Sequence, residues 1–261
     1  MRCSGTPTGC WRRRPSRPTE RVRIYHTSDV HDRRHIAAPL LALRAAKPGV
    51  YVDSGDSLRG SQTVYHRSEP IIAELDRAGV DVQAIGNREF HYLFGALRAR
   101  AAQMHHPLVS ANLSDAKGRP LPFTADVTLQ RDEDGTPWSL RFFGLLVVQY
   151  PRGSPWEHVF SWRFADPIET AAAIAATTPP ETTLIALSHL GLPHDRLLAR
   201  AVPRLDLILG GHSHDTLPEP EFAGGVPIVH AGPYGRFASR TELTKSGGRA
   251  TIADFALERL E

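Results

Sequence analysis

The sequence predicts an α/β fold in which β-sheets pack together and helices lie outside. Three observations carry this reading. Short apolar or β-branched runs recur along the chain, each stopped by a polar or Gly-rich loop. Helical patterns alternate with these runs in the first part of the chain, as in βαβ units. Two Gly-containing turns later in the chain mark hairpins.

The first strand is predicted at Val22–Thr27, followed by a helix over His35–Ala46 and a strand at Val50–Asp53. A second helix is predicted over Glu69–Ala78. Ser68 and Pro70 form its capping arrangement and Gly79 its stop. Strands follow at Val82–Ile85 and Pro107–Ala111, with a helix over Tyr92–Met104 between them. A hairpin joins Ala125–Gln130 to Leu140–Phe143 through Asp134-Gly135, within a longer strand predicted over Leu140–Val148. Asp-Gly supplies the positive φ that a tight turn needs. Then come a helix over Pro167–Ala176, a strand at Thr183–Leu187, a helix over Asp195–Ala201, and strands at Leu205–Leu209 and Val226–His230. The last hairpin joins Arg240–Thr244 to Ala250–Phe255 through Gly247-Gly248. No internal repeat is present.

The 261 residues are 41% hydrophobic and 23% charged, the composition of a globular protein with a substantial core. The formal net charge is only +3, and much of the basic excess sits in Arg12, Arg13, Arg14, Arg17 and Arg21. This describes a basic tail, residues 1–20, rich in Pro, Arg, Ser and Thr and read as disordered. It argues against a nucleic-acid-binding face. Residues 21–261 form the folded domain. Both cysteines, Cys3 and Cys10, fall in the tail, so neither a disulfide nor a thiolate metal site is expected in the domain. No apolar run is long enough to span a bilayer, and the tail lacks the apolar segment of a secretory signal. A cytoplasmic protein that does not engage membranes is expected.

Chemistry is concentrated where strands end. Successive strands run into Ser28-Asp29-Val30-His31, Ser54-Gly55-Asp56, Gly86-Asn87-Arg88-Glu89, Ser188-His189 and Gly210-Gly211-His212-Ser213-His214. Sites in α/β sheets lie at the carboxyl ends of strands. Carboxylate, imidazole and amide ligands suit Mn, Fe, Zn or Mg. Asp29 and His31 are spaced to reach one ion, as are His212 and His214, and the two oxygens of Asp56 suit it to bridging. Singly, each motif reads as an ordinary turn or a hydrogen-bonded histidine. Together, in this order, they are specific.

The order DVH, GDS, GNRE, SHLG, GGHSH resembles the calcineurin-like metallophosphoesterase superfamily. The wording is nearest the catalytic domain of 5′-nucleotidases and 2′,3′-cyclic phosphodiesterases: HTSDVH, DSGDSLRGS, IGNREF, SANL, ALSHLG, ILGGHSH and HAGPYGRFASRTELT. The resemblance covers nearly everything from residue 22 onward. It implies a four-layer α/β/β/α sandwich of two mixed sheets flanked by helices. It also implies two divalent ions, manganese being favoured over iron, zinc or magnesium. One ion would be held by Asp29, His31, Asp56 and His214, the other by Asp56, Asn87, His189 and His212. The implied activity is hydrolysis of a phosphate ester or anhydride in a small phosphorylated substrate, such as a nucleotide or nucleotide conjugate.

Two departures qualify that. The family's Gly-Asn-His-Glu reads Gly-Asn-Arg-Glu here, and His91 stands where an Asp commonly pairs with the missing histidine. Arg88 cannot act as a general acid at neutral pH but can clamp phosphate oxygens. Good leaving groups are therefore favoured, with His91 the other candidate proton donor. The second departure is size: with 261 residues, the C-terminal domain whose aromatic pair grips the base in secreted 5′-nucleotidases is not expected, so nucleotide specificity is not inherited from the resemblance. Two alternatives follow: a metal-binding interaction scaffold weakened in catalysis, and a nucleic-acid-processing phosphodiesterase. His105, His106 and His194 are expected to be structural or at the surface. Trp138, Trp156 and Trp162 are expected to pack, and Asn112 to lie near the metals without touching them. The stretch 150–162 is read as a rim over the site or a connecting loop.

Overall fold

In the computed structural model, residues 21–133, 136–246 and 249–261 are described. The basic tail, with Cys3 and Cys10, and the turn pairs Asp134-Gly135 and Gly247-Gly248 lie outside the described residues.

The chain runs β1 (Arg21–Thr27), α1 (Ala37–Ala46), β2 (Val50–Asp53), α2 (Ile71–Ala78), β3 (Val82–Ala84), α3 (Phe94–Ala101) and β4 (Leu108–Val109). It continues through β5 (Leu113–Asp115), β6 (Asp126–Glu133), β7 (Thr136–Leu146), α4 (Pro155–Phe160), β8 (Trp162–Phe164) and α5 (Pro167–Thr177). It ends with β9 (Thr183–His189), α6 (Leu192–Ala201), β10 (Leu207–Gly210), β11 (Glu221–Ala223), β12 (Val226–His230), β13 (Phe237–Ser246) and β14 (Arg249–Arg259).

Two six-stranded mixed sheets result, ordered β14-β13-β1-β2-β3-β4 and β11-β12-β10-β9-β7-β6. Strands β1 to β4 pair in parallel, each joined to the next through a helix. Both predicted hairpins form, β6 pairing antiparallel with β7 and β13 with β14.

Three apolar clusters define the four layers. Val22, Ile24, Val50 and Val52 of the first sheet meet Phe142, Ile185, Leu187 and Leu209 of the second. Tyr25 and Tyr51 face Leu40, Ile71 and Leu75 of α1 and α2. Leu184, Ala186 and Ile208 face Ala171 and Leu198 of α5 and α6. Strands covered on both faces read as continuous apolar runs, which explains VYV and LIAL.

One local expectation fails. Ser68 does not cap α2: Pro70 is its N-cap, without a side-chain cap bond. The Glu69 carboxylate instead accepts the Arg59 and Gly60 N–H groups, which draws the preceding residues into the adjacent loop. Gly79 ends α2 in the left-handed conformation, as expected. The small β5-β8 sheet, β11 and α4 are additional elements. No described helix is long and apolar enough to cross a membrane.

Candidate metal centre

Strands β1, β2 and β3 of one sheet and β9 and β10 of the other deliver their terminal loops to one place. Hydrogen bonds between sheets fix this meeting. Ser54 Oγ donates to the Leu209 carbonyl (2.7 Å), and the His189 ring Nδ1 lies 2.8 Å from the Ser54 carbonyl. The His212 N–H reaches both carboxylate oxygens of Asp29, at 3.2 and 3.0 Å.

The backbone at these positions is unusual. Asp29, His31, Asp56, His212 and His214 all take left-handed φ, between 51° and 75°. Such conformations cost on the order of 1–3 kcal/mol for a non-glycine residue and cluster at functional sites. Main-chain bonds hold them here: Asp29 N to Gly55 O (2.8 Å), His31 N to Asp56 O (3.1 Å) and Tyr234 N to Asp29 O (2.7 Å). Glycine permits the close packing. A Cβ on Gly86 would lie 2.5 Å from both Asp56 N and Asp56 Oδ1, and one on Gly211 3.0 Å from Asp29 Oδ2.

The side chains of Asp29, His31 and His214 bring ligand-type atoms within 4.8 Å of one another, and so do Asp29, Asp56 and His189. Asp29 is thus common to both groups, whereas the family resemblance gives the bridging role to Asp56. The Nε2 atoms of His31 and His214 are 3.0 Å apart, with Asp29 Oδ1 at 4.0 and 3.5 Å. His189 must carry its proton on Nδ1, because a carbonyl can only accept. Its Nε2 therefore points toward Asp56 Oδ1, 3.2 Å away and buried, and holds the ring's second proton there until an ion takes its place. A buried ring nitrogen facing a carboxylate, beside two imidazole nitrogens and a second carboxylate, is a donor set that fits divalent cations once its proton is displaced. A backbone carbonyl that fixes the ring tautomer is the usual support for a histidine ligand.

Charge tells the same story. Burial opposes a charge on His189, but Asp56, with Asp29 and Glu89 behind it, outweighs burial and lifts the ring to about 10. Burial pushes Asp56 up, but the His189 charge and the Arg88 N–H bond to its Oδ1 (2.8 Å) hold it below the usual carboxylate range. Burial, then the Arg88 charge, lowers His31 to about 4. Burial also lowers His212, whereas its bond to Asp29 raises His214.

The Asn87 amide nitrogen lies 3.2 Å from His212 Nδ1, while its oxygen accepts from Gln149 Nε2 at 2.8 Å. The Arg88 guanidinium rests on the Leu58 and Arg59 carbonyls, at 3.3 and 3.2 Å. His91 is buried; its Nδ1 accepts the Leu93 N–H at 3.0 Å, its Nε2 has no hydrogen-bond partner, and its ring meets Tyr65 edge-on. Asn112 exchanges two bonds with the main chain of Leu146, at the end of β7. Trp138 and Trp162 are buried as expected, but Trp156 is 53% exposed.

Several supporting residues escape sequence reasoning. Glu89 is fully buried and accepts N–H bonds from Asp56 (2.7 Å), Ser57 (2.9 Å), Leu58 (3.2 Å) and Gly86 (3.0 Å). Asp53 accepts from Gly55 N, Ser57 Oγ, Gln83 Nε2 and Thr27 Oγ1. Arg100 of α3, also buried, binds the carbonyls of Arg88, Phe90, Ser61 and Val64, stapling two loops. Beneath His189, Asp195 joins Ser188 Oγ (2.5 Å) and His230 Nε2 (2.8 Å). Glu89 was visible within GNRE, and acids next to Gly-rich strand ends are the available signal for such roles.

No family model matches the chain. It is similar to the uncharacterized metallophosphoesterase YunD of Bacillus subtilis, 27% identical over 89% of this chain and 52% of that protein. It is also similar to a 2′,3′-cyclic-nucleotide 2′-phosphodiesterase/3′-nucleotidase of Yersinia enterocolitica, 26% identical over 84% of this chain and 38% of that protein. The chain thus spans about half, or less, of these curated relatives. The calcineurin-like phosphoesterase YfkN from Bacillus subtilis superposes with a TM-score of 0.72 at 22% identity, covering 93% of this chain and 92% of that one. The chain has the calcineurin-like phosphoesterase fold, and its homologues are metallophosphoesterases and nucleotidases.

Proposed function

We propose that the protein is a dinuclear metal-dependent hydrolase of phosphate esters or anhydrides, acting on a nucleotide or nucleotide conjugate. The observation that carries this is the convergence of Asp29, His31, Asp56, Asn87, His189, His212 and His214 at one rim of two sheets, five of them with left-handed backbone. The names of the homologues support the same chemistry.

Asp29, His31, Asp56 and His214 would hold one ion, and Asp56, Asn87, His189 and His212 the other. Manganese is the expected ion, because an imidazole-rich oxygen and nitrogen set favours it over magnesium. Bound there, the ions would supply Lewis acidity toward the phosphoryl group and toward the attacking water. The protein's own contribution is positional. Asp56 stays anionic, His189 is turned by Ser54 so that Nε2 faces the centre, and Arg88, whose Nη1 donates to the Leu58 and Arg59 carbonyls, would turn its remaining N–H groups to phosphoryl oxygens without giving up a proton. Glu89 and Arg100 hold the loops that carry Asp56 and Arg88.

Metal content and chelator-sensitive hydrolysis of bis(4-nitrophenyl) phosphate test the reading. Asp56→Asn is expected to abolish turnover and to lower bound metal to half or less. Full metal and a near-native rate in that variant would remove Asp56 from the bridging position. If Asp29→Asn alone costs both ions, Asp29 is the bridge.

A further inference from the structure

A cavity of about 440 Å³ lies beside the proposed metal centre, between the loops after β2, β3 and β7. Its walls include Tyr92, Tyr150, Trp156 and Phe160, and Thr63 and Gln149 supply polar groups. The rings are nearly parallel. Tyr92 and Phe160 stack at 4.7 Å and 28°, Phe160 and Trp156 at 5.7 Å and 16°, and Tyr92 and Tyr150 at 6.4 Å and 18°. A volume of this size suits a small-molecule site.

Gln149 belongs to both places. It lines the cavity, and its Nε2 donates to the Asn87 oxygen. The cavity therefore begins one hydrogen bond from a proposed metal ligand. Exposed apolar surface gathers on the same loops. Trp156 is 53% exposed, Val159 62% and Leu93 60%, while the core a few residues away is closed around Trp162 and Phe164. Exposed apolar groups that cluster beside an aromatic-walled cavity with a few polar groups mark a binding surface rather than chance.

We infer that this cavity is a subsite for the nucleobase of the substrate. The inference rests on the phosphoesterase reading and deepens it, placing the phosphoryl group at the metal centre and the base against Trp156 at the end of the ring column. The rings stack in a column from Tyr150 to Trp156, and a flat ring can extend it at the exposed Trp156, which an alkyl chain cannot match. The Gln149 amide and Thr63 hydroxyl suit a ring with polar edges. The subsite is made by the catalytic domain itself, from the stretch that forms α4 and the loop before it.

The test uses the full chain loaded with Mn²⁺. Adenosine binding is followed by calorimetry, and kcat/KM is compared for adenosine 5′-monophosphate and ribose 5-phosphate, which share the leaving alkoxide and differ in the base. Adenosine is expected to bind wild type. Trp156→Ala should weaken it roughly 5- to 150-fold, the range for loss of one base–ring stack. Trp156→Phe should retain most of the affinity. The preference for the base-bearing ester should fall in Trp156→Ala by a similar factor. Because Trp156 is half exposed, its truncation does not open the core. Absence of adenosine binding to wild type, or equal affinity in Trp156→Ala, overturns the inference. Calorimetry decides the cavity whether or not the ester turns over. Failure of the phosphoesterase reading shows separately, as absence of chelator-sensitive hydrolysis of bis(4-nitrophenyl) phosphate.

Discussion

Glu89→Gln replaces one carboxylate oxygen by an amide nitrogen at the point where two site loops meet. In the native chain Oε2 accepts from Asp56 N and Gly86 N, and Oε1 from Ser57 N and Leu58 N. Whichever way the glutamine turns, one pair of backbone donors faces a donor. Each buried N–H left unpaired costs about 1–3 kcal/mol, so the pair costs about 2–6 kcal/mol. Burial and the nearby Asp56 charge raise the Glu89 carboxyl above its ordinary range, so removing its charge returns part of that penalty. The expected net loss is therefore about 2–4 kcal/mol, a large part of the ~5–15 kcal/mol by which a domain is stable. Urea denaturation read by far-UV circular dichroism should show a lower midpoint at unchanged slope. Metal affinity should fall as well, because the loops that loosen carry Asp56 and Asn87. A Glu89→Gln protein within about 0.5 kcal/mol of wild type, with native metal uptake, would refute the view that this carboxylate ties the loops together.

Three further outcomes follow from the same region. Burial pushes Asp53 up to about 7 from 3.8, so between those values the folded chain holds a proton that the unfolded chain has lost. Stability of the metal-free protein from this group is full at low pH and declines as pH rises toward 7, by up to about 1.4 kcal/mol per pH unit. Asp53→Asn can keep the bond to Thr27 as a donor, and urea titrations from pH 5 to 8 should show its advantage over wild type growing with pH; a constant difference would sink the assignment. Arg88→Lys keeps the charge but loses the fork, and should fall well below wild type in kcat. Across aryl phosphodiesters of graded leaving-group acidity, wild type should slow steeply as the leaving group becomes more basic. A flat series with chemistry rate-limiting would make His91 the first candidate for the missing acid.

The seven ligand candidates were legible because each follows a strand with a strong apolar signature, and strand ends in such sheets meet at one edge. What periodicity could not give is how the two sheets face each other. Only the packed structure brings Ser54 of one sheet onto Leu209 and His189 of the other. The supporting roles of Glu89 and Arg100 were opaque for a related reason. Both are buried charges satisfied by backbone groups of loops that are distant in sequence or irregular, and sequence pattern carries no record of a carbonyl's direction. Trp156 was read as a packing residue along with Trp138 and Trp162, since composition alone does not separate a ring in the core from one on a rim. The Ser68 cap was misread because the adjacent Glu69 already serves Arg59 and Gly60, a tertiary demand that overrides a local motif.

The supports of the site are main-chain and carboxylate hydrogen bonds that need no cation, and this sets a last expectation. Left-handed Asp29 is held by Gly55 and Tyr234, His31 by Asp56, and the Asp56 loop by Glu89. The three apolar clusters that close the sheets and helices are drawn mainly from strands and helices, with Val30, Leu58 and Leu190 the contributions of the ligand loops. Removal of metal should therefore leave the fold intact, unlike small domains whose folding free energy is the binding of their ion. The chelated protein should keep its far-UV spectrum and unfold cooperatively in urea. Adding Mn²⁺ should raise stability only by mass action, about 2.7 kcal/mol at a free concentration one hundred times Kd. Two carboxylates brought together without a cation leave some repulsion, which His189, charged until an ion displaces its proton, offsets. Uptake of metal at neutral pH should accordingly release a proton, measurable as a dependence of the calorimetric enthalpy on the buffer's ionisation enthalpy. Loss of secondary structure on chelation would show that the ions build the site rather than fill it, and the role given to Glu89 and the strained backbone would fall with that result.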